Sequence, residues 1–136
     1  MLELIKTKIW DMLKEKEVSL AMVFDRKGRI LWHKGRDIIG KTIREGEGFS
    51  KSYITKCLDS GEGVNRENVV IKSADDIQSE SAFRLVIKCI LIHPIENELF
   101  LYVDSGKKES FNSAERNMFK MLGDMLADMV KQIKKR

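Results

Sequence analysis

The side chains of this chain that could do covalent or metal chemistry are few and scattered. Cys57 and Cys89 have no partner at the short spacing of a metal or redox motif, so we expect two buried thiols in a reducing compartment. His33 and His93 fall in or beside predicted strands, with no second His or Cys at a ligand spacing. The sequence therefore predicts no metal site and no catalytic residue.

The other polar motifs are equally weak as signs of an enzyme. Asp75, Asp76 and Glu80 could meet a cation, but such acidic stretches are usually solvated loops. The glycines of Gly46-Glu47-Gly48 are not followed by the lysine that a phosphate-binding loop needs. No Ser-His-Asp arrangement is recognisable. We therefore expect no enzyme from these motifs.

Composition predicts one compact domain over residues 1–136, with 43% hydrophobic and 34% charged residues. The net charge is +4, but basic and acidic residues alternate along the chain, so we expect no direct nucleic-acid contact. No apolar run could span a bilayer and residues 1–6 do not form a secretory signal, so we expect a cytoplasmic protein and no membrane partner. The use of Lys, Glu and Ile, with two glutamines, hints at a thermophilic source.

The first part of the chain predicts a β-hairpin. Residues Val18–Phe24 are rich in apolar side chains and form the first predicted strand. Asp25–Gly28 has the Asp and Gly typical of a tight turn, and Arg29–His33 forms the return strand. A glycine-rich region follows, and then a short helix that Ser50 can cap and Gly61 can close. Its apolar face carries Tyr53, Ile54, Cys57 and Leu58.

The second part predicts three further strands. Asn68–Lys72 is a weak strand, and Ser73–Ser81 is a polar, acidic loop. Residues Leu85–Ile92 are so uniformly apolar that we expect a strand in the middle of the sheet, covered on both faces. Pro94–Asn97 is predicted to turn the chain into the last strand, Leu99–Asp104.

Amphipathic helices are predicted at both ends, over residues 1–16 and 113–136. Glu115 lies three residues after Asn112, which is the spacing of a capping box at a helix start. Both helices carry more apolar surface than one sheet face needs, so we expect a homodimer formed by the terminal helices. The predicted interface consists of Leu2, Ile5, Ile9, Met12, Met118, Leu122, Met125 and Met129.

These elements predict an α+β fold. A central, mostly antiparallel sheet of five or six strands has the terminal helices on one face and short helices or loops on the other. Tyr102–Ser105 followed by Phe111–Glu115 resembles the closing strand and helix start of GAF domains, the small-molecule sensing modules of bacterial regulators. Ile39–Ser52 and Leu58–Val64 resemble the regions before and after the ligand-covering helix of that family.

The pattern is most similar to the N-terminal sensory domains of NtrC-type activators. The resemblance implies an attached AAA+ ATPase that acts on RNA polymerase with an RpoN-class sigma factor, and an attached DNA-binding domain. The sequence ends at Arg136 within the predicted helix, from which we expect a longer parent protein. Residues 113–136 would then carry the signal to the output domain. The alternative is a GAF module that stands alone or serves another context.

The resemblance also implies a pocket for a small-molecule effector, between the sheet and the segments 38–58 and 73–84. Its candidate lining residues are Phe49, Ser52, Tyr53, Phe83, Arg84 and Tyr102. The alternative is that these side chains simply fill the core. No cofactor can be named: the cyclic-nucleotide signature of the family is matched in part, by Phe111 and Glu115, with Asp104 where it has Asn. A GAF-type methionine sulfoxide reductase would need exposed thiols of low pKa.

Overall fold

The computed structural model of the chain describes residues 2–66, 87–96 and 98–134. The elements are α1 (Leu2–Glu15), β1 (Leu20–Asp25), β2 (Ile30–Gly35), α2 (Lys51–Ser60), β3 (Val64–Arg66), β4 (Cys89–Ile95), β5 (Leu99–Ser105) and α3 (Ser113–Lys134). The strand predicted over residues 68–72 and the acidic loop predicted over residues 73–81 lie outside the described residues.

The described strands form one sheet in the order β2-β1-β5-β4-β3, and every neighbouring pair is antiparallel. β5 is the middle strand, and all seven of its residues are buried. The hairpin β1–β2 agrees with the prediction, since Gly28 in its turn has φ +81° and donates to the carbonyl of Asp25. A positive φ of this kind suits glycine, which has no Cβ.

The predicted limits of β4 were wrong among the described residues, and positions 85 and 86 of the predicted strand lie outside them. The strand begins at Cys89 and continues through Pro94 to Ile95, and Pro94 lies opposite Phe100 of β5. A proline is tolerated here because the described residues of β3 pair with Ile90–Ile92 of β4, so that no ladder hydrogen bond from Pro94 to them is needed. The turn into β5 therefore starts later, with Glu96 at φ +56°.

Alternation along the strands divides the core into two layers. We call the first the helix layer, because α1 and α3 cover that face of the sheet; it includes Ile9, Leu13, Val23, Leu101, Val103, Phe119, Leu122 and Leu126. We call the second the α2 layer, which α2 and the segment before it cover; it includes Leu20, Met22, Phe24, Phe49, Ile54, Cys57, Phe100 and Tyr102. Both tryptophans belong to the helix layer: Trp32 is buried there and Trp10 packs against it.

The helix ends show which capping predictions hold. At α3, the Glu115 amide donates to Asn112 Oδ1 (2.8 Å) and the Asn112 amide donates to Glu115 Oε1 (2.9 Å), so the capping box is confirmed. Gly61 closes α2 with φ +76° and donates to the Cys57 carbonyl, also as predicted. Ser50 occupies the N-cap position of α2, but its hydroxyl makes no capping hydrogen bond, which corrects that prediction. Within the described ranges, no helix has the length and apolar character needed to cross a membrane.

Candidate functional site

A buried polar network lies in the α2 layer, beside the end of the middle strand. It consists of the Arg36, Asp104 and Tyr102 side chains with backbone groups of Gly48 and Ser50, and we call it the Arg36 network. Asp104 and Tyr102 alternate with the helix-layer residues of β5, so both side chains lie on the α2 face of the sheet. Asp104 is fully buried, although most ionised carboxylates in proteins are exposed.

Arg36 and Asp104 form the ion pair of this network. The two guanidinium nitrogens donate to the two carboxylate oxygens, Nη2 to Oδ1 at 2.8 Å and Nη1 to Oδ2 at 3.0 Å. Nη1 also donates to the Gly48 carbonyl at 2.9 Å. The Arg36 side chain is 15% exposed and the Asp104 side chain is fully buried, so the pair is largely shielded from solvent. This bidentate geometry fixes the relative orientation of the guanidinium and the carboxylate as well as their distance.

Tyr102 joins the ion pair to the start of α2. Its hydroxyl donates to Asp104 Oδ2 at 2.5 Å and accepts from the Ser50 amide at 3.2 Å. Burial raises the pKa of the Tyr102 hydroxyl well above its usual value, and the neighbouring carboxylate raises it further, so the hydroxyl stays a donor. Burial also raises the pKa of the Asp104 carboxyl, while the hydrogen bonds from Arg36 and Tyr102 oppose that rise.

The Ser50 hydroxyl lies beside this network without using it. The residue is 1% exposed, and its Oγ has no hydrogen-bond partner within the described part of the chain. A buried hydroxyl without a partner costs free energy, and such a group in a native structure calls for an explanation. Ser50 is therefore a buried hydroxyl in the α2 layer that none of the described residues satisfies.

The structure brings some of the predicted pocket residues into the same layer. Phe49 and Tyr102 are fully buried there, and Tyr53 packs against the layer while partly exposed. Ser52 is half-buried on the first turn of α2. Phe83 and Arg84 lie outside the described residues, so the predicted pocket stays a prediction.

Two members of the network were missed in the sequence as site residues, namely Arg36 and Asp104. The one usable signal is the position of Asp104, a charged residue at the end of an apolar strand, with the alternation placing it on the face of Tyr102. Nothing local to Arg36 marks it, because its partner is 68 positions away in the sequence.

Burial dominates the surroundings of both cysteines and of His93. Cys57 and Cys89 are both buried, and burial raises the pKa of the Cys57 thiol to about 11. Burial, with a smaller contribution from Lys120, lowers the pKa of His93 against the opposing effect of Asp124. Among the residues that the structure describes, no group of three His, Cys, Asp or Glu side chains could hold a metal ion.

The residues predicted to form a dimer interface divide into two sets in the single chain. Ile9, Leu122 and Met129 pack inside the helix layer, which accounts for part of the apolar stripe without a partner. Ile5 and Met12 on α1 and Met125 on α3 are 37%, 45% and 47% exposed, while Met118 is half-buried. The side chain of Leu2 is outside the description. Leu4 and Met121, which the prediction did not include, are exposed as well.

A cleft of about 470 Å³ separates the end of α1 from the start of α3. Lys108 forms an ion pair with Glu115 of the capping box at its edge. Burial raises the pKa of Glu115, but the hydrogen bonds from Lys108 and from the Asn112 amide outweigh it, and the net shift is downward. The lining mixes both signs of charge: Glu15, Lys16, Glu17, Lys108, Asn112, Ala114, Glu115 and Met118.

Comparison with known proteins identifies the architecture. The chain is similar to the crystal structure of the GAF domain region of a predicted membrane protein from Geobacter sulfurreducens PCA, with a TM-score of 0.69 and 22% sequence identity. The match covers 96% of this chain and 92% of the other. No protein-family model and no curated protein matched. The chain has a GAF-like α+β fold. This confirms the predicted fold class with its antiparallel sheet.

Proposed function

We propose that this chain is a signal-sensing and dimerisation domain of the GAF type. The observation that carries the proposal is the GAF-like fold over 96% of the chain. A shared fold alone does not transfer a ligand, so the rest of the proposal depends on the residues of this chain.

The effector of this module binds in the α2 layer. Support comes from the Ser50 hydroxyl, which has no partner among the described residues, from the largely buried pair of Arg36 and Asp104, and from the half-buried Ser52 and Tyr53 on α2. A few polar groups among aromatic and aliphatic side chains are the usual composition of a small-molecule site. The effector class is open between a cyclic nucleotide and another metabolite.

A thermal-shift screen of cyclic nucleotides, amino acids and 2-oxo acids tests the sensing role. A binder stabilises the folded state by mass action, so a true effector raises the melting temperature in a concentration-dependent way. Ser52→Ala should weaken the affinity read from that concentration dependence about tenfold, because in this proposal Ser52 hydrogen-bonds the effector. Ser60→Ala, at the exposed end of the same helix, should leave it unchanged. If no compound shifts the transition, or if both variants behave alike, sensing in this layer is refuted.

The dimer of this module forms through the exposed apolar residues of the terminal helices. Ile5, Met12 and Met125, with Leu4 and Met121, offer apolar surface that a second copy could bury, and symmetric pairing of helices is a common way to do so. Sedimentation should therefore give a dimer at high micromolar concentration. Met125→Glu should shift it to monomer, and Lys120→Glu, exposed on α3 about 140° around the helix from Met125, should not. A monomer for the unchanged chain contradicts this assembly.

The parent protein is an NtrC-type activator in which α3 carries the output to an AAA+ ATPase. Support comes from the resemblance quoted above and from the order of the chain, because α3 follows the middle strand after a short loop. The domain fused to such an ATPase offers the test. A helix-breaking proline at Asp128 should change ATPase or transcription output, and Asp128→Ala should not. Unchanged output in both would refute this role.

The domain acts without catalysis. The burial of both cysteines and the raised pKa of Cys57 support this against the reductase alternative, which requires an accessible thiolate. Incubation with free methionine sulfoxide and a thiol reductant should give no product above a protein-free control. Turnover that disappears in Cys57→Ala or Cys89→Ala would establish the enzyme instead.

A further inference from the structure

The last two residues of β5 connect the two layers of the molecule. The alternation that places Leu101 and Val103 in the helix layer puts Ser105 on that side and Asp104 on the α2 side. Both residues are fully buried, and both make side-chain hydrogen bonds with groups far away in the sequence. One dipeptide therefore contacts both layers directly.

On the α2 side, Asp104 holds the cover of the sheet in place. Its carboxylate accepts hydrogen bonds from the Arg36 guanidinium, which also donates to the Gly48 carbonyl. The carboxylate accepts a further hydrogen bond from the Tyr102 hydroxyl, and that hydroxyl accepts one from the Ser50 amide. The segment before α2, including the N-cap residue of that helix, is thus fixed to β5 through one carboxylate.

On the helix side, Ser105 holds the junction of the two terminal helices. Its hydroxyl donates to the Glu17 carbonyl just after α1 (2.7 Å) and accepts from the amides of Lys107 and Lys108 in the loop before α3 (3.1 and 3.0 Å). Lys108 then pairs with Glu115 in the capping box of α3.

Ser19 adds a second connection next to the same dipeptide. Its amide donates to the Asp104 carbonyl at 2.8 Å, and its own carbonyl accepts the Arg36 amide at 2.9 Å. Its hydroxyl accepts the Gly106 amide at 3.0 Å. The backbone of Arg36 and the loop after β5 are therefore held by one residue between α1 and β1.

We propose that the Asp104–Ser105 dipeptide is the element that couples the α2 layer to the junction of α1 and α3. When the Arg36 network opens, the end of β5 loses its anchor on one side, and the hydrogen bonds of Ser105 on the other side loosen. The inference rests on the proposed function only in assigning this opening to an effector. The coupling itself is a property of the chain alone.

Hydrogen exchange of the whole chain, without any added compound, tests the coupling. Tyr102→Phe removes one hydroxyl and no charge, and Asp104→Asn removes the charge of the carboxylate at nearly the same size. Both should speed exchange of the Lys107 and Lys108 amides about tenfold, although the altered atoms lie on the opposite face of the sheet. Because Tyr102→Phe is the milder change, it remains informative if Asp104→Asn does not fold.

Asp25→Asn is the matched control. Asp25 is also a buried carboxylate at a strand end and pairs with an arginine, Arg29, at 2.6 Å, but this pair is local and four residues apart. The Lys27 and Arg29 amides donate to the Asp25 carboxylate, so Asp25→Asn should speed their exchange. The Lys107 and Lys108 amides should keep the wild-type exchange rate. Equal effects of Asp25→Asn and Tyr102→Phe at the Lys107 and Lys108 amides would mean general loosening and would overturn the proposal.

Coupling must also operate in reverse, since it is a free energy shared by both sites. Ser105→Ala should therefore speed exchange of the Ser50 amide by a factor similar to that of Tyr102→Phe at Lys108. No change at Ser50 would refute the proposal. The ligand screen is independent of this test. If exchange is coupled but no compound binds, the coupling stands and the sensing role is refuted. If a compound binds but exchange is not coupled, the sensing role stands and the coupling is refuted.

Discussion

The two layers of the core hold their polar groups in different ways. Each contains an aromatic pair: Phe111 and Phe119 meet edge-on at 4.9 Å in the helix layer, and Phe24 and Phe100 stack at 5.2 Å in the α2 layer. On the helix side, the ion pair of Glu115 with Lys108 lines the cleft between α1 and α3, and its Lys108 side chain is 28% exposed. In the α2 layer a full ion pair lies beneath the cover.

Apolar packing and a buried ion pair contribute differently to the stability of a fold. Apolar packing of the helix layer contributes about 25 cal/mol for each Å² removed from water. A buried ion pair contributes little net stability, because desolvation of both charges offsets their attraction, but removal of one partner is costly. Apolar packing in both layers therefore holds the fold together, and the α2 layer is where an alternative partner for a charged group would have the largest effect.

The largest loss of stability is expected at Asp104. Asp104→Ala should lower the free energy of unfolding by about 3–5 kcal/mol in urea titrations, because the largely buried Arg36 loses its counter-charge. Asp25→Ala should cost less, since its partner Arg29 is half exposed and can be solvated. The double variant Arg36→Met, Asp104→Leu should recover part of the loss. A cost for Asp104→Ala no larger than for Asp25→Ala would contradict this account.

The helix layer is tested by two neighbours on α3. Leu126 is fully buried and Met125 is 47% exposed, so Leu126→Ala should cost about 3 kcal/mol and Met125→Ala about 0.5 kcal/mol or less. Both are measured at a concentration low enough to populate the monomer. Equal costs would mean that Met125 belongs to the core of the single chain, which would weaken its role in a dimer interface.

The two helix caps should differ in their contribution to stability by a smaller amount. Asn112→Ala should destabilise the domain by about 1 kcal/mol, because it removes the side-chain acceptor for the Glu115 amide. Ser50→Ala should cost less than that, since the Ser50 hydroxyl makes no capping bond in the described structure. Thermal unfolding of the two variants measures the difference, and a larger loss for Ser50→Ala would show that its hydroxyl has a structural partner.

The pH dependence of the capping box is the smallest expected effect. The folded state lowers the pKa of Glu115 from its ordinary 4.5, so the folded form favours the ionised carboxylate. Its contribution is present above pH 4.5 and is lost as the pH falls through the lower folded value. The difference in unfolding free energy between the wild type and Glu115→Gln, about 1 kcal/mol near neutral pH, should therefore shrink at acid pH. A constant difference would contradict it.

Local signals in the sequence were enough for the parts of the fold that depend on neighbours in the chain. The turn Asp25–Gly28, the capping box of Asn112 and Glu115, and the strand into Ser105 each depend on residues a few positions apart. The extent of β4 was misjudged because a proline is excluded only where its missing N–H is needed, and that depends on which strand lies beside it.

The candidate site was harder to predict, for a physical reason. The Arg36 network forms between segments whose proximity depends on the whole sheet order, and Arg36 and Asp104 are 68 positions apart. The apolar stripe of α3 has a related ambiguity. Periodicity indicates which residues avoid water, such as Leu122 and Met125, but not whether a sheet or a second chain covers them.

The chromophores of the chain are sorted by layer. Both tryptophans, Trp10 and Trp32, are in the helix layer, and both tyrosines, Tyr53 and Tyr102, are in or against the α2 layer. Light that excites only indole therefore reports on the helix layer, while phenol absorption reports on the α2 layer, on the opposite face of the sheet. A compound bound over α2 would perturb the tyrosine signal at once, and any accompanying change in tryptophan emission would reveal, without a label, that the event had crossed the sheet.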